Sequence, residues 1–128
     1  MNTKLDEAIE TFNRGEYIVA AEHFELAAME ADGEGKTFAV ALNRIATGCH
    51  LRFERGTRQA AINLFSQAML TLDQLKPSRD GIDIEKLLTE LHAFTEEIRA
   101  TPKDEGPGMK HRARLFLERR RAPKIKRA

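Results

Sequence analysis

Nine cationic side chains crowd the last twenty residues: Lys110, Arg112, Arg114, Arg119, Arg120, Arg121, Lys124, Lys126 and Arg127. Only one acid, Glu118, lies among them. Charges spread along a segment in this way match the repeat of a polyanion better than a point ligand. Six of the nine are arginines, whose planar forks pair with phosphate or carboxylate oxygens. The expected ligand is RNA or a ribonucleoprotein. An acidic protein surface, the chain's own acidic body and an anionic membrane surface are the alternatives. Phe116 is the one Phe, Tyr or Trp in this stretch, so base stacking is sparse and binding should depend little on base sequence.

Other residues are types that do chemistry, and each has a plainer reading. Glu22 and Glu25, with His23 between them, suggest a metal-dependent hydrolase, but His23 points about 100° away from Glu22 on a helix, so the three do not converge. A salt-bridged helix surface, paired with Arg44, Arg52 or Arg55, accounts for them better. Cys49 and His50 are adjacent, so their side chains diverge and form no nucleophile–base couple. Cys49 falls on an apolar stripe, where a free thiol behaves as a small hydrophobe. Arg52 and Arg55 offset the negative end of a helix, and Arg58 follows at the start of the next, a weak anion patch at most. His23, His50, His92 and His111 have no chelating spacing. No catalytic residue, metal or cofactor is therefore expected, and the chain reads as a non-enzyme.

Composition sets the frame. The 128 residues hold 41% apolar and 32% charged side chains, room for one soluble domain. The net charge of +1 conceals two regions: residues 109–128 hold nine of the 21 cations and one of the 20 acids, leaving an acidic remainder. Residues 101–108 carry two prolines and two glycines and read as a linker between the body, 1–100, and a basic tail, 109–128. The first residues lack the apolar core of a secretory signal, no apolar run is long enough to span a bilayer, and the single cysteine suits a reducing compartment; a cytoplasmic protein is expected.

The body reads as five helices. The first begins at Thr3 with Leu5, Ala8, Ile9 and Phe12 on one stripe, and Gly15 closes it. A second runs over 16–31, with Tyr17, Ala20, Ala21, Phe24, Ala27 and Ala28 on one face, and Asp32-Gly-Glu-Gly35 breaks it. The third spans 37–55 through Phe38, Leu42, Ile45, Cys49 and Phe53, and Gly56 stops it. Thr57 caps a fourth, striped by Ala60, Ala61, Leu64, Phe65, Ala68, Met69 and Leu72. After a turn at 76–81, Asp83 caps the fifth, which buries Ile84, Leu87, Leu88, Leu91, Phe94 and Ile98; Ile82 and Leu87 form a hydrophobic staple. Residues 109–121 are expected to form a short helix stopped by Pro123.

Aligning Gly15 with Gly56 superposes Ala20 on Ala61, Phe24 on Phe65 and Ala27 on Ala68. Gly-Glu-Tyr-x-x-Ala-x-x-x-Phe-x-x-Ala resembles the second half of a tetratricopeptide repeat, in which small residues let paired helices approach closely. The first helix turns Leu5, Ile9 and Phe12 inward, a rotation that suits a closed bundle rather than an open superhelix. Over more of the chain, Phe12-Asn-Arg-Gly-Glu-Tyr with Glu22 and Glu25, then Arg55-Gly, Ala60-Ala61 and Leu64, then Gly81-Ile-Asp-Ile84 with Leu87 and Leu88, is similar to a small all-helical prokaryotic family classed as a domain of unknown function. That family carries His-Glu-x-x-Glu and a tryptophan where this chain has Ala21 and Ala28. The resemblance implies a small helical bundle without the family's histidine.

The sequence thus predicts an all-α protein: a compact five-helix bundle of two tetratricopeptide-like antiparallel hairpins plus a closing helix, with a basic C-terminal tail. It predicts a non-enzymatic interaction module, an adaptor or scaffold, whose tail grips RNA or a ribonucleoprotein. The alternative is a pure protein–protein adaptor.

Overall fold

A computed structural model describes residues 3–102 and 109–127. The chain is predominantly helical. α1 covers Thr3–Asn13, α2 Tyr17–Glu30, α3 Gly33–Arg55 and α4 Gln59–Asp73; β1 (Ser78–Arg79) and β2 (Ile82–Asp83) follow, then α5 Ile84–Arg99 and α6 Met109–Arg120. α2, α3, α4 and α5 each pack on the preceding helix, as the short connections between α1, α2, α3 and α4 require.

Most residues of the stripes anticipated from helical periodicity are buried, while Phe53, Leu64, Met69 and Leu88 are half-buried. Leu5, Ala8, Ile9 and Phe12 of α1 meet Tyr17, Ala20, Ala21 and Phe24 of α2, and all are buried. Gly15 (φ +84°) and Gly56 (φ +68°) take the left-handed conformation at the ends of α1 and α3. Five rings run in series through the interior: Phe12, Tyr17, Phe53, Phe94 and Phe65, with consecutive centroids 5.2–5.7 Å apart. Such tilted and edge-on pairs add about 0.5–1.5 kcal/mol each to the burial of their apolar area. Gly48 of α3 faces Phe65 of α4; a Cβ on Gly48 would lie 2.6 Å from the ring.

Several local features differ from the sequence expectation. α3 starts at Gly33, not Thr37, so the break after α2 shrinks to the extended pair Ala31–Asp32. Glu34 in that added turn suits a helix N-terminus, and Arg79 holds it at 2.9 Å. Thr57 does not cap α4. Its hydroxyl donates to the Leu51 carbonyl at 2.9 Å and so serves the end of α3, while Arg58 takes the N-cap position without a side-chain cap. Ala60 is exposed, and Ile62 is buried in its stead. The turn at 76–81 is a two-stranded hairpin pairing Ser78 with Asp83 and Arg79 with Ile82. Asp80 and Gly81 both have positive φ, as a two-residue type I′ turn demands. Asp83 caps α5 as expected, accepting from the Lys86 amide at 2.9 Å.

The largest departure is at the C-terminus. The basic stretch is not held apart from the body as an arm. α6 packs on α3, and residues 121–127 run on between α1 and α5. Ala122, Pro123 and Ile125 are buried, Ala122 and Ile125 within the main core cluster. The physical reason is twofold: an apolar anchor at Ile125, and acids on the body that face the cations. Most of the expected linker, 103–108, lies outside the described residues. Thr101, at its start, is buried, and its hydroxyl donates to the Ile98 carbonyl at 2.5 Å.

Candidate interaction surfaces

The tail cations divide into two groups according to which side of α6 and its extension they occupy. Arg119 faces inward: it donates to Glu54 Oε1 at 2.9 Å and to the Gly15 carbonyl at 2.6 Å. Its guanidinium lies 5.3 Å from the centroid of the Tyr17 ring and 5.8 Å from that of Phe53. Arg121 Nε donates to Glu97 at 2.6 Å, a bond that raises the arginine's pKa further above its ordinary value. Lys124 Nζ donates to the Asn13 carbonyl at 2.8 Å, Lys126 stands 3.7 Å from Glu90, and Arg127 donates to Asp6 at 2.7 Å. At least five of the nine cations thus face groups of their own chain. Arg114 is half-buried, and the side chain of Lys110 lies outside the described residues.

Arg112 and Arg120 point outward and pair with no described residue. They sit one helical turn on either side of Phe116, since residues four apart share a face. Phe116 is 64% exposed and the adjacent Leu117 48%. The outer face of α6 is therefore an apolar ridge between two guanidinium groups. That combination offers contact area and anion recognition in one place.

The inner face of α6 holds a group that the charge pattern alone did not assign. Glu118, the lone acid of the basic stretch, accepts from Arg52 Nε and Nη2 at 2.8 Å each. The pair is essentially without solvent, at 2% and 1% side-chain exposure. Arg52 is thus not a helix-end surface cation, nor a partner of Glu22 or Glu25. The signal was present in the sequence: one acid among nine cations, placed on the side of α6 opposite Phe116.

Two of the surface concavities bear on ligand binding. The larger, about 930 Å³, is an open groove between α4 and α5 floored by Met69 and Leu88 and edged by Leu70, Asp73, Lys76 and Glu85. Leu70 is 74% exposed on its rim. The smaller, about 500 Å³, lies where α3 ends and α4 begins, and joins Arg52, Arg58, Pro102 and His111. Arg52 is neutralised there by Glu118, and Arg58 donates to the Arg99 carbonyl at 2.5 Å.

The remaining candidates do not converge. Glu22 and Glu25 are exposed on α2, and among the described residues no three His, Cys, Asp or Glu side chains are grouped as a metal would need. Cys49 is fully buried, and burial pushes its thiol well above the ordinary range. A thiol so held is a poor nucleophile. His50 is half-buried beside a small cavity that also includes Tyr17 and Arg119; burial pushes the Tyr17 phenol up as well. No described helix is long and apolar enough to cross a membrane.

No family model, curated protein or solved structure matches this chain.

Proposed function

We propose that this protein is a non-enzymatic helical interaction module whose outward face of α6 engages an anionic partner protein. The observation that carries this reading is the Phe116–Leu117 ridge flanked by Arg112 and Arg120. Exposed aromatic and arginine side chains are the residue types that anchor protein interfaces. The architecture behind it is read as two tetratricopeptide-like hairpins, α1–α2 and α3–α4, with α5 closing the bundle. In support, Ala20 and Ala61, Phe24 and Phe65, and Ala27 and Ala68 are all buried at equivalent places.

The test is a pull-down from native extract with and without nuclease, comparing the wild-type chain with Phe116→Ala/Leu117→Ser. A partner retained after nuclease and lost in the variant is the expected result. A partner that the variant still captures would sink the assignment of this face.

A second reading keeps RNA as the partner, because Phe116 between Arg112 and Arg120 is also a stacking ring between two phosphate contacts. Magnitude separates the two. Two phosphate contacts give a slope of log affinity against log salt of roughly −1 to −2, whereas six would give about −4 to −5. A gel shift with a slope of roughly −1 to −2, lost on Arg112→Ala/Arg120→Ala, favours RNA on this face; no shift at low salt favours protein.

A further inference from the structure

We propose that the cleft between α1 and α5 is a recognition site for an extended basic polypeptide segment, and that the chain's own residues 121–127 are its resident, exchangeable occupant. This surface is separate from the outer face of α6 and does not depend on the reading given to that face.

The way the segment is held is that of a bound peptide. Residues 122–126 are neither helix nor strand, and Arg127 makes a lone bridge to Ile82. Past Ala122 no described backbone group bonds within the segment itself. Its main chain is instead read by the body. The Asn13 side chain accepts from the Ile125 amide and donates to the Ile125 carbonyl, both at 2.9 Å. The Asp83 amide donates to the Lys126 carbonyl at 2.9 Å, and the Lys124 amide donates to Glu90 at 3.3 Å. Main-chain bonding of this type supplies affinity for any extended segment, and pockets for alternate side chains supply selectivity.

The selectivity is legible too. Ile125 is 2% exposed and is the one large apolar side chain the segment inserts. Around it Glu90, Glu97 and Asp6 face Lys126, Arg121 and Arg127. The cleft therefore suits a segment with a buried aliphatic residue between exposed cations, preceded by small or proline residues, as in Ala122-Pro123-Lys124-Ile125-Lys126-Arg127. α6 keeps its own anchor in the Arg52–Glu118 pair, so the segment leaves the cleft without α6 leaving α3. Its tether then holds it at an effective concentration on the order of millimolar, which a partner's segment must overcome.

The experiment uses the full chain and a fluorescein-labelled peptide of residues 121–128, followed by anisotropy. Lys126→Glu/Arg127→Glu reverses two exposed charges beside Glu90 and Asp6 and loosens the resident segment while leaving Ile125 in place. The peptide should bind this variant at least about tenfold more tightly than the wild-type chain, because the tethered competitor is weakened. Adding Asn13→Ala should remove most of that gain, and a peptide with aspartate in place of the isoleucine should not bind. Absence of saturable binding to the variant, or equal binding of the aspartate peptide, overturns the proposal. Hydrogen exchange on the wild-type chain decides the matter even where the variant does not fold. The Ile125 and Asp83 amides should exchange well before those of Leu42 and Ile45 in α3. Exchange of all four at one rate means that the segment opens only with global unfolding and is no exchangeable ligand.

Discussion

Arg52 and Glu118, 66 residues apart in the chain, meet in a two-point fork sealed from solvent between α3 and α6. Each neutralises the other's buried charge. An isolated buried charge is far costlier than the pair, because its lost hydration is not replaced.

Removing one partner should therefore be severe. Glu118→Ala leaves the guanidinium of Arg52 uncompensated and should lower stability by about 3–5 kcal/mol. Arg52→Met/Glu118→Leu removes both charges and should cost far less than that single change. Urea midpoints of the three chains check the ordering, and equal losses for the single and double variants would refute it.

Gly48→Ala should destabilise although alanine is the better helix former by about 1 kcal/mol. The added methyl would stand 2.6 Å from the buried Phe65 ring. Overpacking of this kind costs about 1–3 kcal/mol, so the sign of the net effect is a loss. A thermal melt of the variant measures it.

Alkaline pH should weaken the fold through Cys49 and Tyr17. Burial raises both above their ordinary values of 9.0 and 10.0, so the unfolded chain loses these protons first. The unfolded state then binds fewer protons than the native one, and stability falls with rising pH. It is complete below the unfolded-state values and declines above about pH 9. Cys49→Ala should shallow the decline between pH 8.5 and about 10.5 in urea titrations. An unchanged slope would remove the thiol from this account.

Leu70→Asp should leave stability within about 0.5 kcal/mol, since the side chain is 74% exposed. Phe116→Ala should do likewise for the same reason. If either variant melts early, the surface concerned is part of the folded core and not a free face.

Helical periodicity made the body readable. Leu5, Ile9, Phe12, Phe24, Phe38, Phe65 and Leu91 all face inward as their spacing requires, and Asp83 caps α5 through the bond its position predicts. The hairpin at 78–83 was signalled only by Asp80-Gly81, a pair typical of tight two-residue turns, because strands this short show no alternation. The C-terminal surface was less legible. Charge counting sees nine cations and a poor apolar content, but it does not see that Ile125 reaches the core or that Asn13, 112 residues away, reads its backbone. Those are long-range pairings, and local pattern carries no information about them. Among the tail residues, only the lone Glu118 signalled an inward-facing side.

The placement of Arg119 against Tyr17 has a practical corollary. The chain has one tyrosine and no tryptophan, so all of its ultraviolet emission above the phenylalanine background originates beneath that guanidinium. The protein carries its own optical gauge of the C-terminal clasp. Detachment of α6 would bare the ring and change its brightness without any added dye, letting the opening of this part of the molecule be timed in the unmodified chain.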